Sequence, residues 1–377
     1  MSYKKTLVVK ATTACNLNCP YCYNYKHSFC RQDISEKTID KILDVFKNRI
    51  QTFTWHGGEP LLIGKEFFDK MNEKIQNSGQ EIQISLQTNG VLIDEDFIEL
   101  FKKHNVSMGI SFDGMHNNRT RKNNEKIFKV FSLLKKHNIK FGCLQVLSDE
   151  STSSLIDEYE FAKKNQLDIK INTVFKANGN DLSYNLNGNR IIKETCEFFD
   201  YWIYDQDNPQ PSTYLSKYIN LLLGSRYHFC ENTFCVGGWF SISPNGDIYP
   251  CGRDWEEDFC FCNIHEVNSI DDIYKTVNYQ KFLNISKQLT SFCMEKKCPF
   301  FTMCSGGCYA RHINWIKESG KFEVEPQYCY AHKKILTYIF NKIKNIGLYS
   351  YKKYNPWLIE LLIKNRYVNI KDIKKTL

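Results

Sequence analysis

Cys15, Cys19 and Cys22 stand as Cys-x3-Cys-x2-Cys in the run TTACNLNCPYCYNY. That spacing supplies three thiolates, whereas a cubane 4Fe-4S cluster has four irons and is ordinarily held by four cysteines. A three-cysteine loop leaves one iron open to a small molecule. Zinc sites fill four positions from paired Cys and His knuckles, so the odd count argues against zinc. An apolar strand-like run, Thr6 to Val9, leads into the loop, and the aromatic Tyr23 follows its last cysteine.

A second cysteine array occupies the C-terminal half. Cys230, Cys235 and Cys251 lie in CENTFCVGGWFSISPNGDIYPC, Cys293, Cys298, Cys304 and Cys308 in SFCMEKKCPFFTMCSGGC, and Cys329 in PQYCYAH. Eight further thiols suffice for two four-thiolate clusters or, on the other reading, for one or two structural zinc sites. Asn245-Gly246 between FSIS and DIYP reads as a tight hairpin that returns Cys251 beside Cys235. Of the remaining cysteines, Cys143 and Cys196 read as buried apolar residues. Cys30, Cys260 and Cys262 carry no assignment.

Stepping along the first half gives the scaffold. Strand-like runs occur at Thr6–Lys10, Thr52–Trp55, Ile82–Gln87, Ser107–Phe112, Phe141–Leu147 and Ile169–Phe175. Amphipathic runs of helical period separate them, the first with Ser35 as N-cap and Ile39, Ile42, Leu43 and Phe46 on one face. Others begin near Lys65, Asp94, Asn124 and Ser153. The fold class is therefore α/β, a parallel sheet curled as a partial barrel of six β-α units with right-handed connections. Six units are too few to close an eight-stranded barrel, and a laterally open barrel admits a large substrate.

Active sites in such barrels sit at the C-terminal ends of the strands, and the informative loops all fall there. After the cysteine loop come His56-Gly57-Gly58-Glu59-Pro60, then Thr88-Asn89-Gly90, then Asp113-Gly114. Glycines in the second loop allow backbone to approach a ligand closely.

The chain has 377 residues, 42% of them hydrophobic, and a net charge of +8. Length fits one large and one small domain. No apolar run approaches the roughly 18 residues of a membrane span. MSYKKTLVVK lacks the apolar core of a signal peptide, so a cytoplasmic protein is expected. Sixteen cysteines then argue for metal ligation over disulfides. The positive charge is spread as single lysines, with dense stretches in the tail (KNIGLYSYKKY and KDIKKTL), and no nucleic-acid motif accompanies it. Neither a nucleic acid nor a membrane is expected as a partner.

On these motifs the N-terminal half resembles the radical SAM superfamily. The resemblance implies that the open iron binds S-adenosylmethionine and that reduction of the cluster releases a 5′-deoxyadenosyl radical, the cofactor carrying the hard chemistry. It further implies that Gly57, Gly58 and Glu59 hold the methionyl amino group, and that Asn89, Ser111 and Asp113 line the same pocket. Arg119 or Arg121 would pair with the carboxylate, and Gln145 would reach the adenosine.

The C-terminal array resembles the SPASM domain of radical SAM peptide maturases. Gly246-x4-Cys251 and Cys298-x5-Cys304-x3-Cys308 match its pattern. Cys293 stands farther from Cys298 than the family's usual two-residue gap places it. By resemblance Cys230, Cys235, Cys251 and Cys308 hold one auxiliary cluster, and Cys293, Cys298, Cys304 and Cys329 hold another. With the N-terminal cluster this makes three 4Fe-4S clusters. The implied organisation is a radical SAM core at 1–225, a SPASM domain at 226–335 and a helical tail at 336–377, with one helix at about Ala331–Ile346.

Two peptide-modifying readings follow. The first expectation is a maturase that cross-links a ribosomally made precursor peptide through a cyclophane or thioether. The alternative is an anaerobic sulfatase maturase, which oxidises cysteine or serine to formylglycine. Sulfatase maturases typically place a basic aspartate directly after the cysteine equivalent to Cys251. Here Gly252 stands there, and Asp254 is the nearest carboxylate and the candidate catalytic base. A reductant protein such as flavodoxin or ferredoxin is implied in either case. A non-catalytic Fe–S or zinc protein would leave the Gly-Gly-Glu-Pro turn and the polar strand ends unexplained.

Overall fold

A computed structural model describes residues 4–24, 30–148, 153–174, 187–224, 235–253, 257–344, 346 and 353–364. Its N-terminal half alternates strand and helix as the sequence pattern requires. The strands are β1 (Lys5–Thr12), β2 (Ile50–Gly57), β3 (Gln83–Thr88), β4 (Ser107–Ser111), β5 (Phe141–Leu147) and β6 (Ile169–Thr173), while Phe175, expected in the last strand, lies outside the described residues. The helices between them are α1 (Glu36–Val45), α2 (Lys65–Gln76), α3 (Glu95–Lys103), the single turn α4 (Asn117–Thr120), α5 (Asn124–Lys136) and α6 (Leu155–Asn165). Three of the helix starts have a local cause. Ser35 caps α1 by accepting from the Thr38 amide, and Asp94 caps α3 by accepting from Phe97. Ser154 and Asp157 form a capping box at α6.

Neighbouring strands among these six pair in parallel, in sequence order. Alternate residues of β2, such as Phe53 and Trp55, face the helices and are fully buried, with Trp55 packed between Phe53 and Phe68 of α2. The opposite parity, Thr54 and His56, is only partly buried and lines the concave side.

The next helices are α7 (Gly188–Tyr204) and α8 (Thr213–Leu222), followed by the hairpin strands β7 (Trp239–Ile242) and β8 (Asp247–Tyr249) and the short β9 (Cys262–Asn263). The hairpin turn is the expected one, with Gly246 at φ +96° and its amide bonded to Ser243 O. Its destination carries no local signal in the sequence. β7 pairs in parallel with β1, Val8 opposite Ser241, so one nine-stranded sheet runs β6-β5-β4-β3-β2-β1-β7-β8-β9. The C-terminal half therefore covers the β1 edge of the partial barrel.

The remaining helices are α9 (Ile270–Lys275), α10 (Val277–Glu295), the turn α11 (Phe301–Cys304), α12 (Tyr309–Ser319), α13 (Pro326–Ile343) and α14 (Pro356–Lys364). The expected Ala331–Ile346 helix thus starts earlier, at Pro326, because Glu325 caps it and proline suits its first position. α13 and α14 pack with α7 and α8 in a second apolar core around Trp202, Leu336 and Leu358. Among the described residues no helix is long and apolar enough to cross a membrane.

Candidate metal and cofactor site

The cysteine loop and the Gly-Gly-Glu-Pro turn are one structure. Gly58 N donates to Thr12 O at 2.9 Å and Glu59 N to Ala14 O at 2.8 Å. A Cβ on Gly57 would lie 2.4 Å from Thr12 O, and one on Gly58 2.1 Å from Ala14 O. The glycines are thus required by the approach of the turn to the lead-in of the cysteine loop, and any ligand contact they make comes in addition. Glu59, fully buried, accepts from Thr88 Oγ1 at 2.6 Å, Leu61 N at 3.1 Å and Asn89 N at 2.8 Å. It ties the second strand end to the third. Burial pushes its carboxyl up to about 7 against those three bonds.

N–H groups face the thiols. Leu17 N lies 3.4 Å and Asn89 Nδ2 3.9 Å from Cys15 Sγ, and Arg121 Nη1 lies 3.8 Å from Cys19 Sγ. Such donors stabilise cluster-bound thiolate and tune it. Among the described residues no three His, Cys, Asp or Glu side chains close on one point as around a single ion. Cys15, Cys19 and Cys22 still sense one another electrostatically. Two partly covered thiols and the buried Cys19 set that way fit a multi-iron group better than a lone metal ion.

Asp113 is the hub of the fourth strand end. It accepts from Tyr21 OH, Thr120 Oγ1 at 2.6 Å, Arg121 Nε at 3.0 Å and Val146 N at 3.1 Å. The Arg121 guanidinium also lies 5.6 Å from the Tyr21 ring centre. Burial works against the guanidinium's charge, and Asp113, Tyr21 and Cys19 together hold it cationic. Arg121 is therefore beside the cysteine loop and engaged with Asp113. Arg119 sits in α4, two residues earlier. Ser111 accepts from Gln87 Nε2 at 2.9 Å on the concave face.

Gln145 takes a different side. It shares the parity of Cys143 and Leu147, which pack toward the helices. Its Nε2 lies 3.5 Å from Asp113 O, and it also bonds Glu158 of α6. This places Gln145 behind the strand-end loop, supporting it from the helix side of the sheet.

In the C-terminal half, Cys293, Cys298, Cys304 and Cys329 line a single small cavity of about 30 Å³, with Phe300, His312, Tyr328 and Lys333 in its wall. The long gap between Cys293 and Cys298 has a local explanation. Cys293 rides the last turn of α10, and Lys297, left-handed at φ +48°, turns the chain so that Cys298 N meets Cys293 O at 3.4 Å. Burial pushes the Cys293 thiol to about 11 and Cys304 to about 12; a bound metal would deprotonate them.

The other expected auxiliary set is described in part. Cys230 and Asp254 lie outside the described residues. Cys235 precedes β7, Cys251 follows β8, and Cys308, buried, caps α12. Tyr23, next to Cys22, packs against Cys308 and Ala310, so the two cysteine regions touch. Gly252 passes over the concave face of β1, where a Cβ would lie 2.9 Å from Val8 Cγ1. Arg311 of α12 donates to Thr173 O, Thr173 Oγ1 and Val174 O at the end of β6, at 3.2, 2.6 and 3.1 Å.

Sequence reasoning did not single out Tyr21, Arg311 or Lys333. Tyr21 had a signal, an aromatic between Cys19 and Cys22. Lys333 also had one, standing four residues after Cys329 on the same helix, whereas Arg311 acquires its role only through long-range packing.

Two family models and several known proteins match the chain. Residues 9–162 match the radical SAM superfamily, and residues 230–299 match the SPASM iron–sulfur cluster-binding domain. A cysteine-type anaerobic sulfatase-maturating enzyme of Clostridium perfringens is 25% identical over 368 residues, covering 90% of this chain and 97% of the relative. The structure of native anSMEcpe with bound AdoMet and the Cp18Cys peptide superposes with a TM-score of 0.78 at 24% identity, over 91% of this chain and 99% of the other. Streptococcus suis SuiB bound to precursor peptide SuiA superposes with a TM-score of 0.59 at 18% identity, over 83% and 74%.

Proposed function

Because the chain is a radical SAM enzyme carrying a C-terminal SPASM domain, we propose that it oxidises a side chain of a peptide. Its cofactors are S-adenosylmethionine and 4Fe-4S clusters. Bound at the N-terminal cluster, S-adenosylmethionine supplies the species that abstracts hydrogen. Cys15, Cys19 and Cys22 hold that cluster, and Glu59, Asn89, Ser111 and the Asp113–Arg121 pair shape the pocket beside it. Cys235, Cys251 and Cys308, with Cys230, hold one auxiliary cluster; Cys293, Cys298, Cys304 and Cys329 hold the other.

Formylglycine formation on a cysteine or serine is the first reading. The observation that carries it is the near end-to-end correspondence with the sulfatase-maturating enzyme. This reverses the order of the two readings drawn from motifs alone. Cross-linking of a precursor peptide is kept as the second reading on one observation: the residue after Cys251 is Gly252, pressed on Val8, and brings no carboxylate to that point. The peptide side chain loses one hydrogen atom, one electron and one proton, which takes serine to the aldehyde and cysteine to a thioaldehyde that water converts to the aldehyde with release of hydrogen sulfide. Asp254 is the candidate acceptor of that proton.

The deciding experiment offers the reconstituted enzyme a sulfatase-derived peptide deuterated at the Cβ of its target residue. Transfer of deuterium to 5′-deoxyadenosine and a linear, hydrazine-reactive product support formylglycine formation. A product whose backbone fragments vanish within a ring supports cross-linking. Without either product or transfer, the peptide-oxidase reading fails.

A further inference from the structure

The four-thiol cavity lies beside a basic surface. Cys293 and Cys298 belong to the end of α10 and the turn after it, and Cys329 to the first turn of α13. Those two segments also present Lys296, Lys297 and Lys334, all exposed, while Lys333 lines the cavity and bonds the Cys329 thiol. Glu295 is the one exposed acid within the same stretches, and Glu325 stands partly exposed at the start of α13. Beside the lysines, Met294 and Tyr330 are 57% and 50% exposed, each adjacent in sequence to a cavity cysteine. Lys334 Nζ sits 5.5 Å from the centre of the Tyr330 ring. The surface thus joins apolar contact area to a concentration of positive charge, at the cysteine cavity whose thiols are only partly covered.

From this arrangement we propose that the rim formed by Lys296, Lys297, Lys334, Met294 and Tyr330 docks an acidic one-electron carrier protein over the cavity of Cys293, Cys298, Cys304 and Cys329. The inference rests on the reading that these thiols hold a cluster. Electron exchange requires close approach and no bond making: the carrier loses one electron and the cluster gains it, or the reverse when the peptide's electron leaves. Small exposed apolar contacts ringed by complementary charge suit a short-lived redox encounter, and the lysines steer the acidic partner toward the cavity.

The test uses the full-length reconstituted enzyme and, as probe, a reduced acidic flavodoxin. Stopped-flow bleaching of the iron–sulfur absorbance gives the second-order rate of reduction, with dithionite as the small reductant for comparison. The triple variant K296E/K297E/K334E is expected to lose about tenfold in the flavodoxin rate at low salt, to lose the salt dependence, and to keep the wild-type dithionite rate and iron content. Reversal of the same number of charges at the exposed Lys126, Lys129 and Lys140 should leave the flavodoxin rate unchanged. An unchanged rate in the rim variant, or an equal loss in the control variant, overturns the docking surface. Absence of iron from the four-cysteine cavity overturns the cluster reading, and the docking surface with it.

Discussion

Arg121 and Asp113 form an ion pair, Nε to Oδ2 at 3.0 Å, with side chains only 9% and 2% exposed. The pair joins the end of β4 to the cysteine loop, since Asp113 also accepts from Tyr21 and Arg121 reaches Cys19. Removing one partner leaves a buried charge uncompensated. Asp113→Ala or Arg121→Ala should each lower stability by about 3–5 kcal/mol. The double variant should lose less than the sum. Urea unfolding of the single and double variants measures this; additive losses would show that the two side chains act independently.

Iron content separates the two cysteine regions. C298A/C304A should lose about four irons, one cubane, and keep measurable cleavage of S-adenosylmethionine. C15A/C19A/C22A should abolish 5′-deoxyadenosine formation. Iron analysis and quantified 5′-deoxyadenosine check both, and zinc bound in the C-terminal half would contradict the first.

Glu59 makes a pH prediction. Burial raises its carboxyl from 4.5 to about 7, so the folded chain holds a proton that the unfolded chain releases. The stability linked to this group is full below pH 4.5 and falls as pH rises toward and through about 7. Glu59→Gln should flatten that slope. It should also lower stability throughout, because an amide cannot accept from all of Thr88, Leu61 and Asn89. Unfolding midpoints between about pH 5 and 8, compared for the two proteins, give the answer.

Gly252 has no room for a side chain. Gly252→Ala would set Cβ 2.9 Å from Val8 Cγ1, a clash with a branched, stiff residue that should cost about 1–3 kcal/mol. Val8→Ala in the same chain should recover part of the loss. If G252A alone is neutral in thermal unfolding, the packing account of this glycine is wrong.

How much of this was legible beforehand follows from how local each signal is. The six β-α units, the caps at Ser35 and Asp94 and the Asn245-Gly246 hairpin are written in short runs, and the structure keeps them within a few residues. Cys293 with Cys298 was legible as a pair but not in its turn, which depends on the left-handed Lys297. Non-local relations were not legible. Nothing near Trp239 announces that β7 will pair with β1. The two glycines before Glu59 read as a ligand turn, yet they are compelled by Thr12 O and Ala14 O. The side of the sheet on which Gln145 lies follows from a parity that only the pairing with β4 and β6 fixes.

The pairing of β7 with β1 bears on solubility when the chain is divided. β1 is an apolar strand, with Leu7, Val8 and Val9 at its centre, and in the intact chain it has a neighbour on each side. A fragment ending near residue 225 would strip one neighbour away and leave Thr6–Val9, the residues that pair with β7, as a bare, sticky edge open to other copies of itself. The N-terminal half expressed alone should accordingly be recovered from the insoluble fraction. Restoring solubility would call for charged substitutions on that edge, at positions the whole protein keeps covered.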